Sequence, residues 1–135
     1  MDKLLEQRLD QLDERIAALA KRPRITTMTV NLSYTVDPLV GVSVEEHCPV
    51  TGEAVELLLG FPDGCQDLVD LKVSYKGFQV YPSEGNVALN DASPVVKIKR
   101  FVEKGQPWRA EIDNYDDTYE HHITVIAVVE GVGGE

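Results

Sequence analysis

The sequence predicts a mainly β protein: an antiparallel, jelly-roll-like β-sandwich preceded by an N-terminal α-helix that forms a short coiled coil. Three observations lead to this prediction. Hydrophobic residues recur with a heptad period up to residue 22, the period then changes to two, and clusters of Gly, Pro, Asn and Asp follow at short intervals. We therefore divide the 135 residues into a coiled-coil helix at 1–22, a β-sandwich domain at 23–130 and a flexible tail at 131–135.

The net charge of −10, from 13 basic and 23 acidic residues, is unevenly distributed. Residues 1–22 contain five residues of each sign, so the whole excess of acid belongs to residues 23–135. An acidic domain lacks the basic face that binds nucleic acid, and no apolar run is long enough to span a membrane. A charged residue at position 2 is not typical of a signal peptide. We expect neither a nucleic-acid nor a membrane partner, and a cytoplasmic location unless the protein is part of a virion.

The N-terminal segment has the pattern of a short coiled coil. Its apolar residues are spaced alternately four and three apart, which makes a heptad seam of Leu5, Leu9, Leu12, Ile16 and Leu19. Arg8 and Asp13 flank this seam, where Arg8 of one chain can meet Asp13 of its neighbour. No Gly or Pro interrupts residues 1–22, and Pro23 ends the helix. We predict self-association, with a helix packed on its own domain and a membrane-surface helix as the alternatives.

The length of this seam limits what it can do alone. About three heptads are too few to hold chains together, because short helices are only marginally stable. The β domain must therefore share the contact between subunits. Ile16 at an a position favours a dimer, but Leu9 at another a position weakens this preference.

From residue 25 onward, the alternation of polar and apolar residues indicates β-strands. Met28–Val36 has apolar residues at even positions only, which predicts one long strand. Residues 39–53 contain turn signals and are predicted to be mostly loop. The further predicted strands are Val55–Leu59, Leu68–Tyr75, Phe78–Tyr81, Asn86–Leu89, Val95–Val102, Trp108–Tyr115 and His122–Val129. Eight short strands with no helical pattern among them are typical of a β-sandwich or jelly roll.

Three of these strands carry further information. Trp108 has the parity of the apolar residues in its strand, which predicts a core position. His122–Val129 is apolar on both sides, which predicts a central strand or a face covered by another subunit. The strand Val95–Val102 carries a basic strip of Lys97, Lys99 and Arg100. This strip either pairs with an acidic neighbour or is an ordinary solvated face.

The acidic loop before the last strand is the candidate ligand site. It comprises Asp113, Asn114, Tyr115, Asp116, Asp117, Tyr119 and Glu120. Several oxygens on one loop suit a divalent cation, although the residue spacing of an EF-hand is missing. Tyrosine rings beside carboxylates and amides are also how β-sandwich modules bind sugars. A polar hairpin loop without a ligand is the third interpretation.

The sequence predicts no metal site, no cofactor and no enzymatic activity. Five residues have zinc-type side chains, namely His47, Cys48, Cys65, His121 and His122. They lack a CxxC motif, and adjacent histidines in a strand point to opposite faces. Free cysteines are expected, with a Cys48–Cys65 disulfide as the alternative. The nucleophile-elbow, P-loop, zinc-protease and dinucleotide-binding motifs are all missing from the sequence.

The layout of the whole chain, with the heptad stretch Leu5–Leu19 followed by strands from Ile25 onward, resembles virion proteins. The similar classes are bacteriophage head-decoration, spike and fibre-tip proteins. Because no diagnostic motif is shared, no functional residue is transferred from them. The resemblance implies a non-enzymatic, symmetric assembly protein, a trimer rather than a dimer, that packs on a protein lattice or particle surface. The competing class is a carbohydrate- or divalent-cation-binding module whose helix raises its valency.

Overall fold

The computed structural model describes residues 25–132, and within this range the chain forms nine strands and no helix. The strands are β1 (Ile25–Asn31), β2 (Tyr34–Val36), β3 (Gly41–His47), β4 (Gly52–Gly60), β5 (Val69–Tyr75), β6 (Phe78–Tyr81), β7 (Val95–Val102), β8 (Pro107–Asn114) and β9 (His121–Val132). The predicted coiled-coil helix at 1–22, with its whole seam, lies outside the described residues. Over residues 25–132 there is no helix of the length and apolarity that crossing a membrane requires.

The nine strands form two antiparallel sheets, which confirms the predicted class of a mainly β, two-sheet protein. One sheet has the order β1-β9-β4-β7, and β2 continues the β1 ladder along β9. The other sheet has the order β3-β8-β5-β6. Only the β1–β2 and β5–β6 links stay within one sheet, so every other connection crosses between the sheets.

The core lies between the inner faces of the two sheets. Trp108 is completely buried, as predicted, and the centre of its ring lies 5.0 Å from that of Tyr75. Other fully buried large side chains are Phe61, Leu32, Leu57, Leu71, Ile112 and Ile123. The prediction of a central last strand is also confirmed, because β9 lies between β1 and β4.

The first predicted strand, Met28–Val36, is wrong in its continuity. The structure divides it into β1 and β2 at Leu32–Ser33. Asn31 Oδ1 accepts a hydrogen bond from Ser33 N at 3.0 Å, and Ser33 Oγ accepts one from Val125 N at 3.0 Å. Ser33 Oγ thus takes the Val125 N–H that the ladder would pair with the carbonyl of Leu32, so the strand is interrupted although its alternation of apolar residues continues.

Two other predictions of strand and loop are also wrong. Residues 39–53 are not mostly loop, because β3 pairs with β8 along its whole length and β4 begins at Gly52. Residues 86–89 are not a strand, because only Val87 pairs, through a single bridge to Leu71.

The predicted tail starts too early. β9 continues to Val132, and Gly131 is buried opposite Gly52 of β4. A Cβ atom on Gly131 would overlap the side chain of Val50 and lie 2.8 Å from the carbonyl oxygen of Thr51. Residue 131 must therefore be glycine because its neighbours pack closely, and not because the chain is a flexible tail there. Residues 133–135 lie outside the described residues.

Candidate functional site

A cleft of about 580 Å³ opens between the β4–β5 loop and the β8–β9 loop. Its lining residues are Asp63, Gly64, Gln66, Leu68, Asp116, Asp117, Tyr119, Glu120 and His121. Four of these side chains are carboxylic acids and none is Lys or Arg. The cleft is therefore strongly negative around neutral pH.

Asn114 holds the start of the β8–β9 loop. It is 2% exposed, and its Nδ2 lies 3.0 Å from the carbonyl oxygens of Val36 and Tyr119 and 3.2 Å from that of Asp37. Its Oδ1 accepts a hydrogen bond from the backbone N–H of Asp116 at 3.0 Å. Because both ends of the amide are used in this way, Asn114 is a structural residue rather than a ligand.

Asp116 and His121 form a buried pair at the base of the loop. Asp116 Oδ2 lies 2.8 Å from His121 Nε2, and the two residues are 7% and 6% exposed. Asp116 Oδ1 accepts hydrogen bonds from the backbone N–H groups of Thr118 at 2.9 Å and Tyr119 at 3.3 Å. The pKa of Asp116 is lowered, first by the hydrogen bond from His121 and then by that from Thr118. With Asp116 ionised, this network places the imidazole proton on Nε2 of His121.

The opposite wall of the cleft is a double turn around the buried Cys65. Gly64, Gln66 and Asp67 have positive φ angles of 102°, 47° and 60°. Such angles cost about 1–3 kcal/mol each in non-glycine residues, so the surroundings must hold them. Asn90 Oδ1 does so by accepting hydrogen bonds from the N–H groups of Gly64 at 3.0 Å and Gln66 at 2.8 Å.

The structure divides the predicted ligand loop into three groups. Asp116, Asp117, Tyr119 and Glu120 line the cleft. Asn114 is buried beneath it, and Tyr115 is 58% exposed but outside the lining. Asp113 pairs with Gly41 and Asp70 on the outer side of the other sheet. The seven predicted residues therefore do not form one site.

Sequence reasoning missed one wall of this cleft. Asp63 and Gln66 come from a loop about fifty residues earlier in the chain, and the sequence showed only a turn signal there. His121 was considered as a zinc ligand, but it faces inward to Asp116. As predicted for neighbours in a strand, His122 faces the other way, and its Nδ1 lies 2.8 Å from Thr35 Oγ1.

The structure shows no preformed metal centre over residues 25–132. No group of three or more His, Cys, Asp or Glu side chains is placed to hold an ion there. Cys48 and Cys65 are separate, buried free thiols, so the alternative of a disulfide between them is not realised. Burial, and secondarily the charge of Asp116, raises the pKa of Cys65.

A second candidate surface is the outer face of the five-stranded sheet, which we call the apolar outer face. In β9, Val125, Ala127 and Val129 are fully buried, so Ile126 and Val128 point outward. By the same alternation Leu58, Val95 and Phe101 point outward from β4 and β7. The register places Ile126 beside Leu58 and Leu58 beside Val95, which forms a continuous apolar row.

The outer face of the four-stranded sheet has the opposite character. Lys72 and Glu111 form an ion pair at 3.4 Å, and Arg109 and Glu45 form one at 3.9 Å. All four side chains are at least one-third exposed. This is an ordinary solvated sheet face, and it is more polar than the apolar outer face, which carries the Lys97–Glu56 ion pair beside its apolar row.

The comparisons with known proteins give no family. No family model matches the chain, and a comparison with curated proteins also gives no match. Among solved structures, a family two carbohydrate esterase from Cellvibrio japonicus is 15% identical with a TM-score of 0.47, and the match covers 81% of this chain and 35% of that one. The VP2 subviral particle of infectious bursal disease virus is 14% identical with a TM-score of 0.47, covering 85% and 34%.

A third solved structure, the Yersinia pseudotuberculosis-derived mitogen, is 16% identical with a TM-score of 0.40, and the match covers 84% of this chain and 92% of the mitogen. The chain thus spans about a third of the length of the esterase and of the viral protein. These identities and TM-scores are too low to assign the chain to a family or to give it an activity.

Proposed function

We propose that the protein is a non-enzymatic assembly protein. It associates with copies of itself through the apolar outer face and the predicted N-terminal seam, as a virion component such as a capsid decoration or a spike or fibre module. The observation that carries the proposal is the continuous apolar row Ile126–Leu58–Val95 on a sheet face that would otherwise be solvated.

The energetics of this face favour contact with another copy. Val95 is 56% exposed and Phe101 is 67% exposed, so both leave apolar area in water that an interface would bury. Burying such a side chain contributes about 1.5–3 kcal/mol. The charges on this face are partly neutralised, because Lys97 Nζ lies 2.7 Å from Glu56 Oε2. Two acidic chains therefore meet less repulsion here than unpaired acidic residues would cause.

The strand order supports a jelly-roll interpretation of the sandwich. The first strand lies beside the last, and β4 lies between β9 and β7, while the partner sheet follows the complementary order β3-β8-β5-β6. Viral capsid domains and lectins both use jelly rolls. A jelly roll suits assembly on a particle. It suits a carbohydrate- or divalent-cation-binding module, the second candidate function, equally well.

The test of assembly is the mass of the full chain by light scattering, before and after Val95→Asp. The exposed Val95 tolerates the change in the folded domain, and the new charge should raise the dissociation constant at least about tenfold. Ser43→Asp, on the exposed face of the other sheet, is the matched control and should leave the mass unchanged. A full chain that is monomeric at every concentration contradicts the proposal, and a mass that is a multiple of three chains agrees with the expected trimer.

The second candidate function is a carbohydrate- or divalent-cation-binding module. The cleft favours it, because the ring of Tyr119 is 67% exposed beside the carboxylates of Asp117 and Glu120. Melting curves with a glycan panel and with Ca²⁺ should show a ligand-dependent rise that Tyr119→Ala abolishes. Tyr115→Ala is the matched control, because Tyr115 is exposed on the same loop outside the cleft. No rise with any ligand would eliminate this candidate.

A further inference from the structure

The four sheet edges of the sandwich are not equally protected against pairing with another chain. β7 carries Lys97, Lys99 and Arg100, β3 carries two glutamates, and β6 has only four residues. Charged side chains and short length are the usual devices that prevent edge-to-edge association. β1 has none of them, because its seven residues, Ile25–Asn31, include no charge, no Pro and no Gly.

The free side of β1 is accessible in the part of the chain that the structure describes. Thr27 and Thr29 are exposed and Met28 is 39% exposed, and among residues 25–132 only β9 pairs with β1. The ladder keeps one register through Leu32, whose N–H donates to Val125 O at 2.7 Å. Alternate residues of an antiparallel strand direct their backbone groups to opposite sides. The N–H and C=O groups of odd-numbered β1 residues therefore point away from β9.

We propose that β1 pairs antiparallel with β1 of a second copy of this chain, joining two five-stranded sheets into one. This proposal rests on the self-association proposed above and names the contact. Full overlap of the two strands centres the two-fold axis on Met28, with Thr27 of one copy opposite Thr29 of the other. About four hydrogen-bonded residue pairs then form, all between odd-numbered residues.

Charge favours a second copy over a charged partner at this edge. The chain carries −10, and close contact between copies is repulsive wherever acidic residues face each other. In the β1 pair, the nearest acidic residues on the face of Thr27 and Thr29 are the two Glu130 side chains. Each lies on β9, the strand next to β1. Three strand spacings, about 14 Å, separate them, which exceeds the screening length of about 8–10 Å.

The antiparallel geometry also determines how this contact combines with the predicted seam. In the overlapped pair the two Ile25 residues lie about 20 Å apart, at opposite ends of the joined strands. The two β1 strands therefore begin at opposite ends of the pair, so a parallel coiled coil of the predicted seam has to join chains of different pairs. With the seam and the apolar outer face, β1 is then the third proposed contact of each chain, and where every β1 is paired the total number of subunits is even.

The test has two measurements on the full-length chain. The first is backbone hydrogen exchange, and the second is the mass of the oligomer. The amides of Thr27, Thr29 and Asn31 should exchange at least about tenfold more slowly than in a Thr27→Lys/Thr29→Lys variant, and the protection should disappear on dilution. The variant places lysines opposite each other across the two-fold axis and should lower the mass of the oligomer. Ser43→Lys, exposed on edge strand β3, is the control and should leave the mass unchanged.

A cross-link tests that the contact lies between chains. Met28→Cys should give a disulfide-linked dimer of twice 15.0 kDa under mild oxidation, because opposed residues of an unbonded antiparallel pair lie within disulfide range. The control variant Ser43→Cys should give no disulfide-linked dimer. Rapid exchange of the three amides in a chain that still forms oligomers would overturn the β1 contact and leave the proposed function standing. A chain that is monomeric throughout would overturn both.

Discussion

Asp116 connects the buried base of the β8–β9 loop to its exposed tip. One carboxylate oxygen of Asp116 bonds His121, and the other accepts two backbone N–H groups. Loss of the carboxylate charge therefore weakens all three hydrogen bonds together. The hydrogen bonds are strongest to the ionised form, which is why its pKa lies below the usual range. Among the predicted loop residues, Asp116 therefore maintains the cleft rather than serving as a free ligand.

The lowered pKa of Asp116 predicts a pH dependence of stability. The contribution is complete above the pKa of the unfolded chain, about 3.9, and is lost as pH falls through the lower pKa of the folded state. The difference in unfolding free energy between wild type and Asp116→Asn should therefore be largest above about pH 5 and narrow below about pH 4. Urea unfolding across this range measures it, with Ser43→Asn, which removes no titratable group from an exposed position, as the control. A difference that persists at the lowest pH would contradict the assignment.

Trp108 combines complete burial with an indole N–H that finds no hydrogen-bond partner over residues 25–132. An unsatisfied buried donor costs about 1–3 kcal/mol, so part of the stabilisation from the large ring is lost. Trp108→Phe removes this donor and should destabilise by less than about 2 kcal/mol, whereas Trp108→Ala should cost about 3–5 kcal/mol. Urea unfolding compares the two variants. Equal losses would show that the cost does not follow the volume removed, and would contradict this account of the residue.

At the scale of elements, the sequence predicted the strands whose alternation is long and uninterrupted. Val95–Val102 matches β7 residue for residue, and the final strand is central as its two apolar sides implied. β3 was missed because Val42 and Val44 alternate over only a few residues between turn signals. The break at Ser33 depends on a hydrogen bond to β9, and no local pattern reveals that bond.

Contacts between residues far apart in the sequence also limited the prediction of the candidate site. The acidic β8–β9 loop was visible in the sequence because its carboxylates are consecutive. Its opposite wall was not, because Asp63 and Gln66 reach it only through the order of strands that brings two distant loops together. Asp113 was included because it is close in sequence, but the two-residue period of β8 turns it to the other face.

The close pairing of Gly52 and Gly131 makes the end of β9 sensitive to volume. A methyl group on Gly131 would overlap Val50, and backbone of the adjacent turn leaves it no room to move. Gly131→Ala should therefore lower the free energy of unfolding by about 1–3 kcal/mol. Glu130→Ala, at the exposed neighbouring position, should change it far less. Equal stability of the Gly131 variant and wild type in urea would mean that residues 131–132 behave as the predicted tail after all.

At the scale of the whole molecule, the distribution of charge and apolar surface agrees with a protein that assembles. The four-stranded sheet presents paired charges to solvent, whereas the five-stranded sheet presents the apolar outer face and ends in the uncharged edge β1. Both surfaces proposed for contact thus belong to one sheet. The acidic residues of the cleft lie on loops between the sheets, and none of them belongs to either contact.

This arrangement predicts how salt should affect assembly. If the contacts are the apolar outer face and β1, the net charge of −10 opposes association, and added salt weakens that opposition. Raising the ionic strength from about 20 mM to about 500 mM should then increase the average mass measured by sedimentation at a fixed chain concentration. The alternative is that Lys97, Lys99 and Arg100 of β7 pair with acidic residues of a neighbour. Ion pairs across an exposed contact weaken in salt, so a mass that falls between the two conditions would move the interface from β1 to the opposite edge of the sheet.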